Sequence, residues 1–486
     1  MNAAQKAAMN FGSVALSEAI GKIVTFYAVV VHLADYLSKD QFGTYNQVFV
    51  YISFCFVFAA FGMDRIIVRE ISRTPDRIGS ITGSALLVKG VLAVAVIGLA
   101  NLFLSFAGDW LNYSPQLCIL TRIASMGVLL SVFSVFGAVL HSRLELRRQS
   151  VGTAVARFLG AGAIIALVVV DAPFLWFVIA GLLLGVPGAL IGLPEAILLY
   201  IFYRKTGQES LGIDGRTCLT LVKGAAPIAI SDFFIMTYAR VDQIMLQGML
   251  GKESLVGIYN FATRFAEVLR IIPLAFIASI FPSLCQAYKK SDGSFEEAYR
   301  RSFKYMNAIC IPAACASILL SKNVIEAASS KYVAAAPILT VLLFAEIFVF
   351  LGIINNRLLV SSGRQGLDLL LTGSSAALNV ILNLLLIGRF DMMGAAAASL
   401  VAYAAGPVLG LLIPFTRPFS KAMFTTSIRP LGASIVMLAV LWCSRGALGV
   451  SPSIAVGIIA YLAVLLVLRG FDRQDIDLVK RVFARK

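Results

Sequence analysis

Runs of about 20 apolar residues recur from one end of this chain to the other, each long enough to cross roughly 30 Å of hydrocarbon as a helix. No water reaches the middle of a bilayer, so every such run must satisfy its backbone hydrogen bonds internally. The composition agrees. Of 486 residues, 59% are hydrophobic and 14% charged, against about 45–50% and 25% in water-soluble domains. We therefore expect an all-α integral membrane protein of about fourteen transmembrane helices. The spans are placed at 11–34, 45–63, 80–107, 116–140, 150–170, 174–202, 219–249, 256–287, 303–321, 333–360, 367–388, 394–415, 430–444 and 451–468.

Charge tests that count. With the N-terminus in the cytoplasm, inner loops carry 26 Lys and Arg, including Arg65, Arg69, Arg73 and Arg77 after the second span. Outer loops carry six: Lys39, Lys252, Lys322, Lys331, Arg389 and Arg445. Basic loops flanking membrane helices stay on the cytoplasmic side, and one helix more or fewer would scramble the alternation. Both termini are thus expected inside. The net charge of +15 is spread between spans and forms no basic domain or arm for nucleic acid. The seven cysteines are scattered without a CxxC pair, which suggests buried hydrophobes rather than disulfides or a metal site. Glu18 and Lys22 interrupt the first apolar run and no small-residue cleavage site follows, so a cleavable signal is not expected.

An internal repeat is visible. After the first span the chain reads Leu37, Lys39, Asp40, Gly43, Tyr45, Asn46; after the seventh it reads Leu250, Lys252, Glu253, Gly257, Tyr259, Asn260. Six helices separate the copies, so both have the same orientation, as in transporters built from parallel repeats. The expected division is a lobe at 1–210 (helices 1–6), a lobe at 211–416 (helices 7–12), and two further helices with a basic tail at 417–486. The polar stretch Arg204–Thr217 would link the lobes. Gly185, Pro187, Gly188, Gly192 and Pro194 in the sixth span, Pro227 in the seventh, and Pro273 and Pro282 in the eighth mark sites of kinking or bending.

Several charges fall within spans. Lys22, Lys89 and Arg270 lie near mid-membrane and Arg264 somewhat shallower, together with the acids Glu18, Asp232, Glu267 and Glu346. A charge at the centre of a lipid-facing helix costs about 2.5–3.5 kcal/mol on insertion scales, so these residues should face protein or a wet lumen. Lys223, Arg240 and Arg357, nearer span ends, are expected to snorkel to the interface. Glu18 and Lys22 stand at i,i+4, and Arg264, Glu267 and Arg270 at successive i,i+3 steps, so intrahelical ion pairing is one reading. One acid cannot neutralise two arginines, however, and a cationic lumen suits a phosphate-bearing substrate. Arg270, Arg264, Lys22 and Lys89 are the candidate substrate ligands. Asp232, Glu346 and Glu18 are candidates for binding a coupling proton or sodium ion. Asn379 and Asn383, at i,i+4, read as hydrogen-bonding residues between helices.

No catalytic or metal-ligating residues are assigned. The two histidines, His32 and His141, fall on opposite sides of the membrane, and no phosphate-binding loop, HExxH or GxSxG motif is present. Short outer loops count against a membrane glycan polymerase or ligase, the leading reading from the enzyme class. A transporter with no cofactor is expected.

Phe42-Gly43-Thr44-Tyr45, the run from Gly62 to Glu70, Arg240-Val241-Asp242, Gly257-Ile258-Tyr259, Phe281-Pro282, the run from Asn379 to Ile387, and Gly394 with its alanines carry a family likeness in order and spacing. The chain resembles, over nearly its whole length, the polysaccharide flippases of the multidrug/oligosaccharidyl-lipid/polysaccharide exporter superfamily. It departs at Asp35, where the family often has arginine, and at Gly388, where proline is common. The resemblance implies two six-helix lobes around a cationic cavity, and alternating access that carries undecaprenyl-pyrophosphate-linked oligosaccharide across a bacterial inner membrane for O-antigen, capsule or exopolysaccharide synthesis. It also implies cation antiport and polysaccharide polymerase or export machinery as partners beside the bilayer. Peptidoglycan-precursor flippases and multidrug antiporters of the same superfamily are the rival readings. The charge asymmetry makes a direct prediction: topology reporters fused after Gly108, Gly251 and Gly446 will read outside, and those after Arg148, Lys290 and Lys486 inside. A C-terminus read outside would overturn the helix count.

Overall fold

The computed structural model describes residues 19–143, 145–186, 191–205, 207, 211–277, 280, 288 and 293–471. Every regular element among them is helical, and each of the fourteen expected spans has its helical segment. In chain order these are α1 (Ala19–Tyr36), α2 (Lys39–Arg73), α3 (Pro75–Ala107), α4 (Pro115–Ser142) and α5 (Leu146–Val169). Next come α6, in two pieces (Phe174–Leu184 and Leu193–Arg204), α7 (Gly215–Leu250) and α8, which begins as Glu253–Val268. Then follow α9 (Ser294–Ala328), α10 (Ser330–Ser361), the stretch Gln365–Gly410 holding α11 and α12, α13 (Arg417–Gly446) and α14 (Val450–Val467).

Helix breaks follow from local chemistry. Between α11 and α12, Asp391 adopts φ 48° and ψ −132°, which no helix contains. A methyl carbon on Gly394 would lie 2.4 Å from the carbonyl oxygen of Leu386. In a straight helix residues eight apart are separated by about 12 Å, so the chain doubles back here and Gly394 permits the close approach. In α6 the first piece ends on Gly185 at φ 73°, and Pro194 occupies the first turn of the second piece, where its missing N–H costs nothing. Pro187, Gly188 and Pro282 lie outside the described residues. Pro227 is inside α7. Pro273 lies just past a tightened turn in α8, where Leu269 and Arg270 donate to carbonyls three residues back.

The chain separates into two compact units, Met1–Ser279 with Thr372–Ala398, and Ile280–Leu371 with Ser399–Lys486. In the first, the repeat copies at the starts of α2 and α8 pack against one another. A methyl carbon on Gly43 would fall 1.9 Å from the Glu253 carbonyl oxygen, and one on Gly257 would fall 2.4 Å from that of Lys39. Each copy brings its glycine to the other copy's backbone. Asn46 and Asn260 make the same turn-spanning bond, to the carbonyls of Phe42 and Val256. The Glu253 carboxylate accepts from Thr44 and Ser114, joining α8 to α2 and α4. At the other end, the linker residues 211–214 lie on α3: Gly212 donates to the Gly79 carbonyl, and a methyl carbon on Gly83 would meet the Gly212 carbonyl oxygen at 2.2 Å. Asp214 caps α7 and also takes Arg77; the Thr217 hydroxyl and then the Arg216 N–H hold its carboxyl below the usual range. In the second unit, Asn307 of α9 reaches the Met423 carbonyl and Thr426, Tyr461 of α14 reaches the Ala308 carbonyl, and Arg445 reaches Leu319 and Asn323.

Overpacking a close-packed contact usually costs about 1–3 kcal/mol. Gly43→Ala and Gly257→Ala will therefore lower the thermal unfolding midpoint of the detergent-purified protein. Gly90→Ala, with no atom within 4 Å of the added methyl, will not. Equal midpoints for all three would refute the repeat contact.

Candidate anion site at the break in α8

The turn that tightens α8 gathers charge. Glu267 lies at its start, with Arg240 of α7 at 2.9 Å and Arg270 at 3.6 Å from Oε1. Arg264, one turn earlier, donates to Asn46 of α2 at 3.2 Å. Its charge also reaches the Glu267 carboxylate, as do those of Arg240 and Arg270. Asp242 is buried, accepting from the Tyr259 hydroxyl and the Gln243 N–H. Two of the expected ligands, Arg264 and Arg270, are thus brought together around one acid with an arginine that sequence reasoning had sent to the interface. Arg240 stands ten residues before the end of α7, about 15 Å along a helix, and turns to Glu267 of α8.

Three guanidiniums share Glu267, and two of their donors have no hydrogen-bond partner although buried: Arg240 Nη1 and Arg264 Nε. A buried N–H left unpaired costs about 1–3 kcal/mol. An anion with several acceptor oxygens would satisfy both, and a guanidinium presents its donors in a geometry suited to phosphate. Glu267 and Arg240 keep side-chain exposures of 15% and 20%, so the cluster is recessed without being sealed.

The other candidates are distributed elsewhere. Lys22 is partly buried near the start of the described α1. Phe26, one turn on, meets Phe265 of α8 edge to face at 5.0 Å, so α1 runs beside the cluster. Lys89 is wholly buried and bonded to Asp64 and Ser134. Asp232 accepts from Arg65 at 2.9 Å, a contact across 167 positions that periodicity cannot reveal. Glu346 is buried in α10 within electrostatic reach of Cys310. Glu18 lies outside the described residues. Asn379 and Asn383 bond to each other at 3.0 Å along one helix, fully buried.

Residues 7–287 match the family model described as polysaccharide biosynthesis protein. The chain belongs to that family. It is similar to the probable flippase AglR of Haloferax volcanii, 22% identical over 84% of this chain and 82% of that protein. It is also similar to the probable low-salt glycan biosynthesis flippase Agl15 of the same organism, 26% identical over 40% of this chain and 41% of that one. Among solved structures, the lipid II flippase MurJ in an inward closed conformation superposes with a TM-score of 0.72 at 13% identity, covering 94% of this chain and 98% of that one. The fold expected from the sequence, an all-α multi-pass membrane protein, is borne out.

Glu267 is the partner of both Arg240 and Arg270, and stripping one member from a buried ion pair costs roughly 3–5 kcal/mol. Glu267→Gln will therefore reduce the amount of folded protein in the membrane, and Arg240→Gln added to it will restore part. Full abundance of the single variant would show that the guanidiniums need no countercharge.

Proposed function

We propose that this protein is a flippase for lipid-linked oligosaccharide, and that the arginine cluster at the break in α8 holds the phosphate groups joining lipid to sugar. The observation that carries this reading is the pair of buried, unpartnered guanidinium donors in a group of three arginines and one glutamate. A net cationic pocket favours an anionic headgroup and disfavours the cationic drugs of multidrug antiporters. Family membership and the similarity to AglR and Agl15 support a glycan-pathway cargo.

In this reading the cargo is an oligosaccharide on a polyprenyl pyrophosphate, undecaprenyl in a bacterial inner membrane, moved from the cytoplasmic to the outer face with both termini inside. Polysaccharide polymerase or export machinery would take it up there. The two six-helix lobes at 1–210 and 211–416 would alternate access, with 417–486 appended.

Cells lacking the protein will accumulate lipid-linked oligosaccharide on the cytoplasmic face while glycosyltransfer continues. Arg270→Glu will abolish export, Arg270→Ala and Arg240→Ala will weaken it, Arg270→Lys will retain part, and Lys22→Ala will have the smallest effect. Unit charges 4 Å apart interact by about 4 kcal/mol at an effective dielectric near 20, so charge reversal should outweigh any packing change. Membrane abundance is measured beside export. Full export by Arg270→Glu at wild-type abundance would remove Arg270 from the site, and single repeat units that reach the outside unpolymerised would favour a polymerase.

A further inference from the structure

One turn from the arginines, on the same helices, stands a group of buried amides that the anion site leaves unused. Gln243 and Gln247 follow Arg240 on α7 at i+3 and i+7, and Asn260 precedes Arg264 on α8 by four positions. At those spacings each amide shares a helix face with its arginine. The two helices are joined by Gly251 and Lys252, so later on α7 and earlier on α8 are the same end of the bundle. From α2 comes Gln47, beside the Asn46 that receives Arg264.

All four amides are sealed. Gln47, Gln243 and Asn260 are 0% exposed and Gln247 is 1% exposed. Gln243 has no hydrogen-bond partner at either end of its amide, and the side-chain oxygens of Gln47, Gln247 and Asn260 have none. A polar group buried in this way has given up water and gained nothing in exchange, and here that penalty recurs on three helices. The nitrogens of Gln47 and Gln247 donate to the Tyr113 hydroxyl and the Asn112 carbonyl, at 2.8 and 2.9 Å. Asn112 and Tyr113 in turn line a cavity of about 610 Å³ with Asp40, Asp109, Lys252 and Glu253, within the range of small-molecule sites, about 300–1,000 Å³. Polar groups thus run from the arginines, through the amides, to a cavity whose residues Asp40, Asp109 and Lys252 are exposed. Charge falls away along the row. Asp242, beside Gln243, is already bonded to the Tyr259 hydroxyl and the Gln243 N–H.

We propose that Gln243, Asn260 and Gln47 form the subsite for the first sugar of the cargo, the one bonded to phosphate, and that this sugar is uncharged. The inference rests on the flippase reading and on the arginine cluster as the phosphate site. A ring joined to a phosphate on Arg240 and Arg264 lies within about one helical turn of it, roughly 5 Å, and the amides occupy that turn. An amide offers a donor and an acceptor side by side, which matches two neighbouring hydroxyls or an acetamido group, and an uncharged set of partners takes an uncharged ring. In the conformation described, Gln47 and Asn260 lie four and three residues beyond the contacts of Gly43 with the Glu253 backbone and of Gly257 with that of Lys39. As those contacts part during transport, the amides meet the sugar and gain the bonds they lack.

The test compares two probes on the purified full chain: a polyprenyl pyrophosphate carrying one N-acetylhexosamine, and the same lipid pyrophosphate without sugar. The wild type will bind the glycosylated probe about tenfold more tightly, the gain expected of one or two hydrogen bonds. Gln243→Met keeps the side-chain length and removes the amide. Its ratio of affinities will fall towards one, and its thermal unfolding midpoint will stay at the wild-type value because the lost amide leaves no partner behind. Arg270→Ala will weaken both probes alike and keep the ratio, which separates sugar recognition from phosphate recognition. A wild-type ratio of one, an unchanged ratio in Gln243→Met, or a lowered midpoint in that variant each overturns the subsite. A wild type that binds neither probe overturns the phosphate reading of the arginine cluster, and the subsite with it.

Discussion

A charge inside hydrocarbon must find a partner, and that constraint organises this protein more than any other. Along the spans the basic side chains reach for acids or carbonyls: Arg65 for Asp232, Lys89 for Asp64, Arg240 and Arg270 for Glu267, and Arg445 for the Leu319 carbonyl. Apart from the Arg270–Glu267 pair within α8, these bonds join different helices and so fix which faces meet. Against that background the unpartnered donors of Arg240 and Arg264 stand out. Among the described residues these are the buried guanidinium donors left without a hydrogen-bond partner, and the proposed anion would satisfy them.

The repeat explains where that place is. Gly43 and Gly257 let the two copies approach backbone to backbone, and their asparagines cap matching turns. The symmetry then fails in charge. The Asn46 side-chain oxygen receives Arg264, whereas the Asn260 side-chain oxygen has no hydrogen-bond partner. Counted from the aligned asparagines, the counterparts of Arg264, Glu267 and Arg270 in α2 are Val50, Ser53 and Phe56. One copy therefore kept an apolar packing face and the other acquired an ionic site. Pro273 adds a local cause: proline clashes with the carbonyl four residues back, and the turn tightens at Leu269 and Arg270, beside Glu267.

Breaks in α2 and α8 thus carry the two ionic features, and they are built differently. In α8 a proline interrupts the hydrogen-bond ladder and the recessed turn collects guanidiniums. In α2 no proline is present; Phe61 and Gly62 turn left-handed, and ion pairs on the far side hold them there.

The sequence by itself determined the solvent, the helix count and the pattern of spans, because a bilayer demands about 20 apolar residues per crossing whatever the tertiary contacts. It also marked the repeat and placed Arg264, Glu267 and Arg270 on one helix face, since i,i+3 spacing is a local property. Tertiary structure alone decided the partners. Arg240 was read as interfacial because its distance from a predicted span end was the sole guide to its depth; the real helix holds it opposite Glu267. Lys89 was read as facing a lumen, but its depth along α3 says nothing about Asp64, 25 positions earlier on another helix. Asp232 was read as free to bind a cation because Arg65 is 167 positions away. Charge within a helix is legible from spacing, whereas charge between helices depends on which faces meet, and in a chain where nearly every face is apolar the pattern of hydrophobicity carries no record of that choice.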